Sequence, residues 1–150
     1  MKRLTHNARI LVTDGGRASV LRNAGQVGDP DLQMVRSYGQ DNPPTREQGS
    51  DKPPRVSDSS GRRSSIEQTD YHQQAEDQFV AAIAADMEKD LAAGDFAELV
   101  VVAPPVALGV YRKAASQKLS AATVMEINKD LTKHSHAEIA GIVVKALEGG

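Results

Sequence analysis

The chain has 150 residues, with 18 Lys+Arg against 20 Asp+Glu, no cysteine and no tryptophan. The length suits one domain spanning 1–150 that buries about two-thirds of its surface on folding, and the missing cysteines exclude disulfide scaffolds, zinc–thiolate and iron–sulfur sites and cysteine nucleophiles. No apolar run approaches membrane-spanning length and the first residues lead into no signal-peptide core, so the expectation is a cytoplasmic protein with no membrane partner.

In chain order, residues 9–14 open the fold, and the run Ile10-Leu11-Val12 suits a strand covered on both faces. A two-residue Gly15-Gly16 connection, which needs positive φ, predicts a hairpin into a return strand over residues 17–23. After a loop over residues 25–31, alternation predicts a third, half-exposed strand. It would set Leu32, Met34 and Tyr38 on one face and Gln33 and Ser37 on the other. Residues 39–69 show no periodicity and hold Pro43-Pro44, Pro53-Pro54 and ten charges of mixed sign, the composition of one mobile insertion.

Asp70, with Gln73 three residues on, predicts a helix start. From there Ala75, Phe79, Ile83, Met87 and Leu91 repeat every four residues, Val80 and Ala84 widen the stripe, and Gly94 stands where a left-handed C-cap belongs. Leu99-Val100-Val101-Val102 is the second continuous apolar strand. Pro104-Pro105 then starts a helix through Leu108, Tyr111 and Ala115. Residues 123–127 read as a short strand, and Ser135-His136-Ala137-Glu138 forms a capping box ahead of a helix with Ile139, Ile142, Val143, Ala146 and Leu147 on one face.

The order is therefore βββαβαβα, an α/β fold. Three strands on short loops pair as a meander, and strands alternating with helices run parallel. Placing the two continuous apolar strands side by side gives a mixed five-stranded sheet of order 3-2-1-4-5 with strand 2 antiparallel. That is a ribonuclease H-like topology with flanking helices.

Such a sheet raises a two-metal nuclease as one reading, which needs several carboxylates at the sheet centre. Asp14 and Glu76 are the first candidates, and Glu126 and Asp130 lie near the last strand, but Ala103-Pro104-Pro105 supplies no acid. Asp14 also reads as a turn residue ahead of Gly-Gly. His6, His72, His134 and His136 lack metal-ligand spacing. No glycine-rich loop leads from a strand into a helix, no Gly-x-Ser-x-Gly elbow exists, and Ser64 and Ser65 have no placed base. No metal, cofactor or catalytic residue is expected on these grounds.

Charge is unevenly spread. Residues 1–69 balance to +3 and residues 70–150 to −5, and nine of the eleven basic residues in the first part are Arg. Lys52, Arg55, Arg62 and Arg63 form a basic cluster near a helix start, suited to phosphate contacts, although Asp58 and Glu67 dilute it into what could be a solvated loop. The five aromatics are too few for a base-stacking platform, so any RNA contact falls to Arg and backbone.

Three pieces taken together resemble a known family. They are Ile10-Leu11-Val12-Thr13-Asp14-Gly15-Gly16-Arg17-Ala18, Leu99-Val100-Val101-Val102-Ala103-Pro104-Pro105 with Leu108-Gly109 and Arg112, and Glu126-Ile127-Asn128-Lys129-Asp130-Leu131-Thr132. The family is that of the bacterial host attachment proteins, grouped with bacterial relatives of the archaeo-eukaryotic peptide-chain release factors, and the resemblance runs from about Arg9 to the end. It implies the release-factor middle domain, whose fold is similar to ribonuclease H. There, a Gly-Gly-Gln loop between the third strand and the first long helix promotes peptidyl-tRNA hydrolysis. The equivalent piece here, residues 59–68, keeps the basic character but has no Gly-Gly-Gln, since Gln68 follows Ile66-Glu67. The resemblance thus implies a module associated with the ribosome, transfer RNA or ribosomal RNA and lacking that hydrolysis motif. Alternatively, a protein partner would connect it indirectly to attachment to host cells.

Overall fold

The computed structural model describes residues 3–26, 28–39 and 65–149, with residues 65–72 as backbone only. β1 (Arg9–Thr13) and β4 (Leu99–Val102) are buried along their whole length. A strand tolerates this only with paired neighbours on both edges and cover on both faces. β1 pairs with β4 in parallel, Arg9 opposite Leu99 through Val12 opposite Val102. Its other edge pairs antiparallel with β2 (Ala18–Asn23), which in turn pairs with β3 (Leu32–Tyr38), while β5 (Thr123–Ile127) lies parallel on the far side of β4. The sheet order β3-β2-β1-β4-β5 and the antiparallel β2 are those read from the sequence.

Alternate side chains of the central strands feed two cores. Leu11, Val20, Leu99 and Val101 meet Phe79, Val80, Ile83 and Met87 of α1 (Ser65–Ala92), Leu108 and Tyr111 of α2 (Pro105–Ala114) and Leu119 of α3 (Gln117–Ala122). Ile10, Val12, Leu21, Val100 and Val102 meet Ile139, Val143 and Leu147 of α4 (His136–Gly149) on the opposite face. Burial pushes the Tyr111 phenol up to about 12, and its hydroxyl bonds Thr123 Oγ1 at 2.8 Å. Among the described residues no helix is long and apolar enough to cross a membrane.

The structure departs from the sequence expectation in three places. α1 begins at Ser65, not Asp70, so residues 65–69 are helical and the insertion's remaining residues, 40–64, lie outside the described ones. Gln73 donates to Asp77 Oδ1 at 2.8 Å, one turn ahead on the same helix, which replaces the expected capping partnership with Asp70. The first turns of α1 are polar, so the apolar stripe becomes visible only where the helix meets the sheet.

In β3 a register shift opposite Val20 and Leu21 leaves Val35 as an extra residue between Met34 and Arg36. A bulge of this kind reverses the inward and outward phase. Leu32 therefore enters the α4-side core and Tyr38 the α1-side core, and Met34 is 47% exposed rather than aligned with both. Tyr38 packs edge-on against Phe79 and donates to the buried Asp86 carboxylate at 2.9 Å, which ties the end of β3 to the middle of α1.

The third departure is α3, a six-residue helix with little apolar pattern of its own. Its N-cap Ser116 accepts from Leu119 N at 3.1 Å, while Glu88 of α1 accepts from Ser116 N at 2.7 Å and from Ser116 Oγ at 2.6 Å. The acid that normally stands three residues into a capping box is supplied here by another helix.

Other ends follow local rules. α1 closes with Gly94 at φ +82, Gly94 N on Leu91 O and Asp95 N on Asp90 O, a Schellman arrangement. At α4 the box is reciprocal: Ser135 N donates to Glu138 Oε1 at 3.0 Å and Glu138 N to Ser135 Oγ at 3.1 Å, which holds the Glu138 carboxyl below its ordinary range. In urea denaturation, Leu11→Ala is expected to cost about 2–5 kcal/mol through the cavity it leaves, and Ser135→Ala about 1 kcal/mol through the missing cap. A Leu11→Ala cost no larger than that of Ser135→Ala would contradict the placement of β1 at the sheet centre.

Candidate functional site

The carboxyl ends of β1 and β4 leave the sheet side by side and part. β1 turns back into β2, and β4 runs through Ala103 and Pro104 into α2. Between these ends and α1 lies a cleft of about 50 Å³, lined by Asp14 and Gly15, by Gln73, Glu76 and Asp77 of α1, and by Pro104, Val106 and Val110.

The hairpin that forms one wall is tightly specified. Asp14 N donates to Arg17 O at 3.1 Å, and Thr13 Oγ1 donates to the same carbonyl at 2.9 Å. Asp14 Oδ1 accepts from Gly16 N at 2.9 Å and Arg17 N at 2.8 Å. Of the two glycines only Gly15 has positive φ, +106°, and its Cα side packs against the Glu76 side chain. Asp14 and Glu76, far apart in sequence, are thereby brought to one cleft.

The β5–α4 loop reaches the same edge. Thr132 Oγ1 donates to Asp130 Oδ1 at 2.7 Å and lies 3.5 Å from Asp14 Oδ2, and Thr132 N adds a bond to Asp130 Oδ1 at 3.1 Å. The Thr132 hydroxyl, and then its amide, hold the Asp130 carboxyl below the ordinary carboxylate range. Glu126 turns away and pairs with Arg112 of α2 at 2.6 Å, and that bond raises the guanidinium above its ordinary value.

The acids named in the sequence thus divide. Asp14 is an acceptor for turn amides, Asp130 for Thr132, Glu126 for Arg112, and Glu76 borders the cleft with Asp77. Among the described residues no three His, Asp or Glu side chains gather so as to hold a metal ion. The cleft has an acidic rim and an apolar floor, with Val106 61% exposed at its mouth. It offers hydrogen-bond acceptors and no cation among its lining residues.

Lys52, Arg55, Arg62 and Arg63, the nucleic-acid-binding candidates, lie outside the described residues. The described residues on either side of their segment are informative. β3 ends at Tyr38 opposite Ala18, beside the Asp14–Arg17 turn. α1 begins eleven residues before Glu76, about 16 Å of helix at 1.5 Å per residue. Both of these flanking ends stand toward the cleft end of the sheet.

Gln73, Asp77, Val106 and Thr132 were not singled out from sequence as site residues. The available signal was the set of three sequence pieces, whose residues Asp14, Pro104 and Thr132 converge at this edge, with Arg112 and Glu126 tying the second piece to the third.

A mixed sheet of this order, with a cleft at the carboxyl ends of its central parallel strands, defines a ribonuclease H-like α/β protein. The profile of bacterial archaeo-eukaryotic release factor family 12 matches residues 7–143, and the chain belongs to that family. No curated protein matches the sequence.

Two measurements check the local geometry. Gly15→Ala forces a side chain onto a φ of +106°, and is expected to destabilise the fold by about 1–2 kcal/mol in urea melts. The folded pKa of Asp130 is depressed, so its contribution to stability is present above the ordinary carboxylate range and is lost as pH falls through the folded value. Thr132→Val is expected to move the Asp130 carboxyl back up in an NMR titration and to shrink the loss of stability in acid. An unmoved titration would show that the Thr132 hydroxyl is not its partner.

Proposed function

We propose that this release-factor-like protein is a ribosome- or RNA-associated module of the cytoplasm that works without Gly-Gly-Gln-dependent hydrolysis. The observation that carries the reading is the insertion between β3 and α1. It stands where the release factors hold their Gly-Gly-Gln loop, and this chain fills it with Lys52, Arg55, Arg62 and Arg63. Gln68, the glutamine of the piece equivalent to that loop, has a helical main chain within α1, so it lacks the glycine-flanked backbone that approaches an ester.

Electrostatics divides the labour. The acidic rim of Asp14, Glu76 and Asp77 repels phosphate, so contact with an RNA backbone falls to the basic residues of the insertion. The cleft is left for an uncharged or cationic group.

Cosedimentation with ribosomes at low salt tests the reading. Arg62→Ala combined with Arg63→Ala is expected to weaken association and to flatten its dependence on salt, by about 0.7 in log–log slope for each single-strand phosphate that the variant no longer neutralises. Wild-type protein that fails to sediment with ribosomes at low salt would overturn it. The reading as a host attachment factor acting through a protein partner makes the opposite forecast, a partner captured from lysate that survives ribonuclease treatment.

A further inference from the structure

Three arginines meet on the α1 face of the sheet, toward the end away from the cleft. The β1–β2 register sets Arg9 directly opposite Arg22, a cross-strand separation of about 4.5–5.5 Å between Cβ atoms. Arg36 of β3 stands opposite Val20, on the same face and diagonal to Arg22. Like charges in register on neighbouring strands destabilise a sheet, so this grouping calls for a compensating partner.

The fold supplies only part of one. Arg9 is 7% exposed, lies 5.8 Å over the Phe96 ring, and donates through Nη1 to Asn7 O at 3.0 Å and Asn7 Oδ1 at 3.1 Å. Its Nε is buried with no hydrogen-bond partner, and so is the Nε of Arg36, whose Nη2 pairs with Asp90 of α1. Arg22 is half-buried and has neither hydrogen bond nor ion pair among the described residues. Besides burial, Arg22 and Arg36 both push the Arg9 guanidinium toward losing its charge, and Asp95 opposes them. Asp90 pairs with Arg36, Asp95 acts on Arg9, and Asp86 on the same face is taken by the Tyr38 hydroxyl, which leaves the Arg22 guanidinium without an ion pair or hydrogen bond of its own among the described residues.

Two buried N–H donors without acceptors and an uncompensated guanidinium beside them are the complement of an oxyanion. A planar guanidinium fork matches phosphate geometry with two parallel bonds. The C-terminus of α1 explains Arg36 through Asp90, whereas no hydrogen bond or ion pair among the described residues uses the Arg22 guanidinium.

We propose that Arg22, with Arg9 and Arg36 beside it, forms a binding site for a phosphate group. The site shares no residue with the cleft or with the basic insertion, so it stands or falls independently of the function proposed above. A phosphate there quiets the repulsion across β1 and β2 and gives the stranded donors an acceptor after small side-chain shifts. The group comes either from a small phosphate-bearing molecule or from an RNA backbone.

Thermal melting of the full chain in inorganic phosphate and in sodium chloride of equal ionic strength tests the site. Phosphate is expected to raise the wild-type melting temperature by several degrees beyond chloride. Arg22→Gln is expected to melt higher than wild type in chloride, because a repulsion is gone, and to lose the phosphate increment. Arg22→Lys retains part of the increment, and the Arg62→Ala, Arg63→Ala double variant retains all of it.

A labelled single-stranded oligoribonucleotide then distinguishes the two sources. A Kd about tenfold weaker in Arg22→Gln, the size of one charged hydrogen bond, assigns the phosphate to an RNA backbone. An unchanged Kd assigns it to a small phosphate-bearing molecule. A wild-type increment no larger in phosphate than in chloride, or one that persists in Arg22→Gln, overturns the site.

Discussion

The parallel pairing of β1 with β4 is the constraint from which the rest of the molecule follows. Both strands are buried over their whole length, and neither has a free edge. The chain between them supplies β2 and β3 on one flank and α1 across one face, and the chain after β4 supplies β5 on the other flank and α4 across the other face. The same pairing sets the carboxyl ends of β1 and β4 side by side while sending the chain in different directions from each, which leaves a cleft. The candidate site is thus a by-product of how two apolar strands are closed off from water, and its walls are the hairpin and helix starts that those strands require.

Much of this was legible in the sequence because it rests on strong local patterns. Ile10-Leu11-Val12 and Leu99-Val100-Val101-Val102 are continuous apolar runs that need a central place, and with the short-loop meander and the strand–helix alternation that requirement gives the strand order. Ser135 with Glu138, and Gly94 after α1, are capping chemistry within a few residues of the ends they close. What was not legible depends on partners distant in sequence. The bulge at Val35 inverts a plain alternation because β3 must send Leu32 and Tyr38 into different cores. Asp14 and Glu76 could each be named as acids, but their meeting depends on the Gly15 turn fitting against one particular turn of α1.

Charge is likewise organised by the fold rather than by the sequence segments. A net charge of −2 suggests an unremarkable surface. In three dimensions the acids Asp14, Glu76 and Asp77 gather at one end of the sheet and Arg9, Arg22 and Arg36 toward the other. Arginine far outnumbers lysine in the first part of the chain, and three of those arginines stand on one face of one sheet.

The borrowed cap of α3 bears on the order in which the chain folds. Six residues are far below the length at which a helix persists alone in water, and the carboxylate that satisfies Ser116 belongs to Glu88, on a helix that precedes it by a whole strand and another helix. The segment from Ser116 to Ala122 is therefore coil until α1 has docked and Glu88 is in place. β5 follows α3 without a gap, so the last strand to join the sheet waits on the same event. Assembly of the β5 edge is in this way made conditional on the first long helix, and a nascent chain whose α1 has not yet docked presents β4 with its outer edge still open.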